Sequence, residues 1–85
     1  MSQYEVRVDP KALKFLRNLK EVDQKRIDAA LMLLGENPIP PKALKLTNRD
    51  GYRIRVGTFR ILYTFKKDIL IIRVIDIAHR RDIYR

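Results

Sequence analysis

The chain is organised around Tyr52-Arg53-Ile54-Arg55-Val56-Gly57-Thr58-Phe59-Arg60. This stretch spells two strands joined by a tight Gly57-Thr58 turn. Side chains alternate between faces along a strand. Tyr52, Ile54 and Val56 therefore share one face, and Arg53 and Arg55 the other. Beyond the turn, Phe59 and Ile61 fall on the apolar face and Arg60 on the opposite one. A two-residue loop pairs Val56 with Phe59 and sets Arg55 directly across from Arg60. Like charges in that relation repel. Three arginines on one small patch point to a polyanion that sits there in function, the plainer alternative being a solvated sheet face.

Composition narrows the classes. Eighty-five residues make one domain, 1–85, with a modest core. An apolar content of 46% with only 3 glycines describes a folded globule. There is no cysteine, hence no disulfide framework, and a single histidine, hence no all-protein zinc site. No apolar run approaches the roughly 18 residues of a membrane span, and the first residues lack the basic-then-apolar pattern of a signal peptide. The expected location is cytoplasmic. Charge is lopsided. Residues 1–41 carry 7 basic and 6 acidic side chains, residues 42–85 carry 12 and 4, so nearly all of the net +9 belongs to the half that holds the hairpin. A one-sided basic field is the electrostatic footprint of nucleic-acid binding. A membrane surface is disfavoured, because the basic half contains no amphipathic helix.

Outward from the hairpin, residues 3–8 alternate Tyr4, Val6 and Val8 against Gln3, Glu5 and Arg7, a half-buried strand. Asp9-Pro10 is an N-cap followed by proline at the first helical position. Leu13, Leu16 and Leu19, with Phe15 beside them, give the first helix an apolar stripe. After a break near Lys20-Glu21, Ile27, Ala30, Leu31 and Leu34 mark a second helix that Gly35 should stop. Pro38, Pro40 and Pro41 exclude regular pairing, residues 42–46 could form a short extended piece, and residues 48–51 make a turn. A second hairpin turns at Lys67-Asp68. Residues 69–77, apolar on both faces, mark a central strand. A two-residue turn there pairs Arg73 with Leu62 and adds it to the arginine face. The expectation is an α+β fold: an N-terminal strand, an antiparallel helical hairpin, then a three-stranded antiparallel meander with a short C-terminal tail. The first strand joins the sheet beside the last.

Arginine stays protonated and cannot act as a base. It binds phosphate bidentately and stabilises developing charge. Arg53, Arg55, Arg60 and Arg80 are therefore a candidate phosphodiester clamp. His79 is the one side chain that ordinarily titrates near neutrality, and Tyr84 can stack on a base or donate a proton. Lys11, Lys14 and Lys25 read as solvated helix faces, and Asp76 as a strand-end partner for an arginine.

The run from Gly51 to Tyr63, followed by Ile77-Ala78-His79-Arg80-Arg81-Asp82-Ile83-Tyr84, resembles the RelE branch of the RelE/ParE toxin superfamily. The order of elements fits over essentially the whole chain. The resemblance implies the toxin of a toxin–antitoxin pair, an endoribonuclease (mRNA interferase) that cuts mRNA in the ribosomal A site without metal or other cofactor. It also implies a cognate acidic, RelB-like antitoxin that holds the toxin inactive, in an assembly that can be a heterotetramer. By the same resemblance the catalytic positions are Arg53 and Arg55 on the second strand, Arg60 on the third, Arg80 after the fourth and Tyr84 in the tail. Lys45, Arg49, Arg73 and Arg81 are the candidates for further RNA contacts. Some members carry lysine where Arg53 and Arg55 stand, which leaves the general base open here and raises the standing of His79.

The expected reaction is in-line attack of a ribose 2′-hydroxyl on the adjacent phosphate. Arg60 and Arg80 stabilise the phosphate, Arg53 and Arg55 hold the backbone, and His79 or Tyr84 moves protons. On this reading Arg60→Ala abolishes growth inhibition in a protein that still folds. The rivals are a ParE-like toxin that poisons DNA gyrase, a non-catalytic basic nucleic-acid-binding module, and an inactive toxin that retains only antitoxin binding.

Overall fold

The computed structural model describes residues 3–79. The elements run β1 (Glu5–Val8), α1 (Pro10–Arg17), α2 (Glu21–Glu36), β2 (Leu44–Lys45), β3 (Tyr52–Val56), β4 (Phe59–Lys66) and β5 (Ile71–His79). One five-stranded sheet has the order β1-β5-β4-β3-β2. β1 lies beside β5, as the connection rules lead one to expect, and pairs with it in parallel from Glu5↔Ile71 to Val8↔Val74. The fold is thus α+β, and the meander is extended at both edges into a mixed sheet.

The β3–β4 hairpin has the register read from its sequence. Val56 pairs with Phe59 and Arg55 with Arg60. Gly57 takes φ +60° and Thr58 does not enter the positive region, the pattern of a type II′ turn that needs glycine first. The second hairpin departs from expectation. Lys66 pairs with Ile71, so residues 67–70 form a four-residue connection, with Leu70 at φ +53°. Arg73 therefore pairs with Thr64 and not with Leu62. Between Leu62↔Asp76 and Tyr63↔Val74 the ladder skips Ile75. A single bulged residue reverses which face later side chains occupy. Past the bulge, Asp76 and Ala78 share the face of Leu62 and Arg60, while Ile77 and His79 share the face of Ile61 and Phe59.

The helices cover the apolar face. Ala12, Leu16, Ile27, Leu31 and Leu34 form one cluster with Ile54, Phe59, Ile61, Tyr63, Ile72, Val74 and Ile77, all nearly or fully buried. Gly35 does not stop α2, which runs one residue further. Its role is close approach. The Tyr4 amide donates to the Gly35 carbonyl at 2.7 Å, and a Cβ at Gly35 would sit 3.2 Å from the Tyr4 oxygen. Asp9 occupies the N-cap position of α1, where its carbonyl accepts the Leu13 amide at 2.9 Å but its side chain makes no capping bond. Its carboxylate instead accepts Nε and Nη2 of Arg73 at 2.8–3.1 Å, tying the start of α1 to the middle of β5.

Candidate functional site

Pairing across β3, β4 and β5 lays out two rows on the sheet face opposite the helices. One row is Arg55–Arg60–Ala78, the other Arg53–Leu62–Asp76. Rows two residues apart lie about 6.6 Å from each other along the strands. Arg55 is exposed and Arg53 half-buried. Arg60 belongs to this face but is fully buried, its Nε and Nη1 sealed from solvent. The expected open patch of three arginines is therefore two reachable cations beside a third sunk in the protein.

The remaining candidates separate. Arg73 shares this face at the far end of the sheet, where its guanidinium is held by Asp9. That pairing holds the Asp9 carboxyl below its usual range and raises Arg73 above its own, the hydrogen bond being the main cause in each. Arg49 lies exposed in the loop before β3. Lys45 pairs with Tyr52 and so points to the helix side, whereas Leu44 pairs with Arg53. The register thus sets Lys45, which is exposed, outside the two arginine rows. His79 pairs with Phe59 on the helix side. Its ring packs against Phe59 at 4.8 Å and edge-on to Phe15 at 5.9 Å. The expectation that His79 moves protons beside the arginines thus meets a register that turns the imidazole to the other face. Arg80, Arg81 and Tyr84 lie outside the described residues.

Sequence reasoning missed two contributors. Lys11 and Lys14, read as solvated helix charges, join Arg49, Leu62, Asp76 and Ala78 around a cavity of about 750 Å³. The signal was weak, because nothing local says that α1 runs beside the C-terminal half of β5. A second cavity, of about 580 Å³, brings Lys42 and Leu44 together with Arg53 and Arg55. Asp76 is not the arginine partner expected of it: among the described residues it makes no ion pair or hydrogen bond. Chemically, this face offers cations around the apolar side chains of Leu62 and Ala78, an arrangement suited to a phosphate backbone.

Such a small α+β unit with a cationic sheet face has well-defined relatives. A family model for the ParE toxin of type II toxin–antitoxin system, parDE, matches residues 6–84. The RelE1 protein of Methanocaldococcus jannaschii is 29% identical over 87 residues, covering 98% of this chain and 97% of the relative. A variant of the E. coli toxin RelE in complex with an antitoxin RelBc peptide is 27% identical, with a TM-score of 0.75 and coverage of 99% and 92%. The archaeal RelE–RelB complex from Pyrococcus horikoshii OT3 gives a TM-score of 0.79 at 24% identity, over 94% of this chain and 97% of that one. The chain belongs to the ParE toxin family of type II toxin–antitoxin systems. Within it, the chain is a RelE-type toxin.

Proposed function

We propose that this toxin is an endoribonuclease that cleaves mRNA, in the ribosomal A site, by attack of a ribose 2′-hydroxyl on the neighbouring phosphate. The observation that carries the reading is the pair of rows Arg53–Leu62–Asp76 and Arg55–Arg60–Ala78, walled by Lys11, Lys14 and Arg49. Arg53 and Arg55 grip the backbone of the RNA bidentately. Arg60, buried on the next strand directly across from Arg55, contributes fixed positive charge where the phosphorane builds negative charge, the kind of preorganisation that stabilises a transition state. Arg80 and Tyr84 complete the set by family resemblance. The products are a 2′,3′-cyclic phosphate and a 5′-hydroxyl.

A cognate acidic antitoxin is the natural partner for a chain of net charge +9. The solved relatives include RelE–RelB complexes. Val22, Met32 and Leu33 on α2 are 56%, 74% and 64% exposed and give such a partner an apolar seat.

The test is induction of the toxin alone in bacteria, with primer-extension mapping of mRNA 5′ ends, beside Arg55→Ala. New cuts within translated codons, absent from the variant, support the reading. Growth arrest without cuts favours a second reading, a protein-binding gyrase poison, which the ParE description of the matching family makes the specific rival. A supercoiling assay then decides between them.

A further inference from the structure

The proposed reaction needs a group that accepts the proton of the attacking 2′-hydroxyl, and arginine cannot be that group. We propose that Asp76 is the proton acceptor. The inference rests on the ribonuclease reading and adds a catalytic residue to it.

The bulge at Ile75 is what places this carboxylate. It turns Asp76 onto the arginine face, directly across from Leu62, which in turn faces Arg53. Leu62 is thus flanked by a cation on β3 and a carboxylate on β5, each about 5 Å away across the ladder. A phosphodiester lying over Leu62 meets a guanidinium on one side and a base on the other. Asp76 is half-buried and is the one acid among the described residues that line the 750 Å³ cavity. Among the described residues, the charged groups around that cavity are Lys11 and Lys14 from α1 and Arg49 from the loop, while Arg60 lies diagonal to Asp76 on β4 and Arg53 two strands away on β3. His79 on its own strand faces the other way.

The other acids of β1 and of the turn after it are committed, Glu5 to Arg7 and Asp9 to Arg73. Asp76 has no such partner among the described residues. A lone carboxylate in a site for a polyanion opposes binding by simple repulsion. Proton transfer gives that repulsive charge a use. As the O2′–P bond forms, the Asp76 carboxylate takes the 2′-hydroxyl proton. The P–O5′ bond breaks, and the 5′-oxygen leaves and gains a proton from solvent. Asp76 then returns its proton to solvent, so no water is consumed and the products are those given above.

The experiment is single-turnover cleavage of mRNA on programmed ribosomes by wild type, Asp76→Asn and Asp76→Glu, across pH. Asp76→Asn is expected to slow cleavage by about a hundredfold or more and to remove the acid limb of the pH–rate profile. RNA binding is expected to be as tight as wild type or tighter, since a repelling charge is gone, the unfolding midpoint stays unchanged, and Asp76→Glu recovers part of the rate. Cleavage by Asp76→Asn within a few-fold of wild type, a retained acid limb, or a loss of binding equal to the loss of rate overturns the role of Asp76 alone. Absence of cleavage by wild type overturns the ribonuclease reading itself, and Asp76 with it.

Discussion

Arg60 lies directly opposite Arg55 across the β3–β4 hairpin, yet Arg55 is exposed and Arg60 has no accessible surface. Two arginines in register therefore carry different physical burdens. Arg60→Ala removes a large, fully buried side chain and is expected to cost about 2–4 kcal/mol. Arg55→Ala, at an exposed position, should stay within about 0.5 kcal/mol of wild type. Urea denaturation of the two variants checks this. Because of that difference, Arg60→Ala is no clean test of function, contrary to what the sequence suggests, and Arg60→Met, which keeps most of the volume, separates charge from packing.

If Arg53 and Arg55 each contact a phosphate, each contributes to counterion release. Replacing either with alanine should lower the slope of log affinity against log salt by about 0.7 for single-stranded RNA. Arg73→Ala should leave the slope unchanged, since Asp9 already holds that guanidinium. Fluorescence titration of a short oligoribonucleotide at several salt concentrations distinguishes them.

The Asp9–Arg73 pair predicts an acid-sensitive increment of stability. Asp9 titrates below its ordinary 3.8 in the folded chain because Arg73 hydrogen-bonds its charged form. The unfolded state therefore binds the proton more readily, so the increment is present above pH 4 and is lost as pH falls through the lowered value. Asp9→Asn should be less stable than wild type at pH 7, and the gap should close in strong acid. Urea midpoints at both pH values give the answer.

Tyr63 gives the opposite window. Burial pushes its phenol up to about 12, and its hydroxyl donates to the Pro38 carbonyl at 2.6 Å. Between pH 10 and about 12 the unfolded chain loses this proton while the folded one keeps it, so stability falls as pH rises. Tyr63→Phe should abolish that alkaline loss and cost about 1 kcal/mol at neutral pH through the missing hydrogen bond.

Gly51 holds the turn before β3. Its φ is +129°, and a Cβ there would stand 2.8 Å from the Tyr63 carbonyl oxygen. Gly51→Ala should destabilise by about 1–3 kcal/mol, visible as a lowered thermal midpoint. Gly57→Ala meets no such contact nearer than 3.5 Å and carries only the strain of a positive φ.

Period and short-range turn chemistry are legible in the chain before it folds. Alternation in residues 52–60 with Gly57 at the turn set the Arg55–Arg60 register, because a two-residue loop leaves the pairing no freedom. The apolar run of residues 69–77 marked an interior strand, which runs from Ile71 to His79 with one face buried and Arg73 exposed on the other. Ile69 and Leu70 fall in the exposed connection, and the expectation that the first strand joins beside the last held. Which side chains meet follows from long-range pairing and packing. The four-residue connection 67–70 and the bulge at Ile75 are choices of pairing between distant strands, and one skipped residue moves Asp76 onto the arginine face and His79 off it. The burial of Arg60 and the approach of Lys11 and Lys14 depend on how elements pack, which no local pattern encodes. Alternation assigns each side chain a face, but packing decides whether that face meets solvent, the core or a substrate.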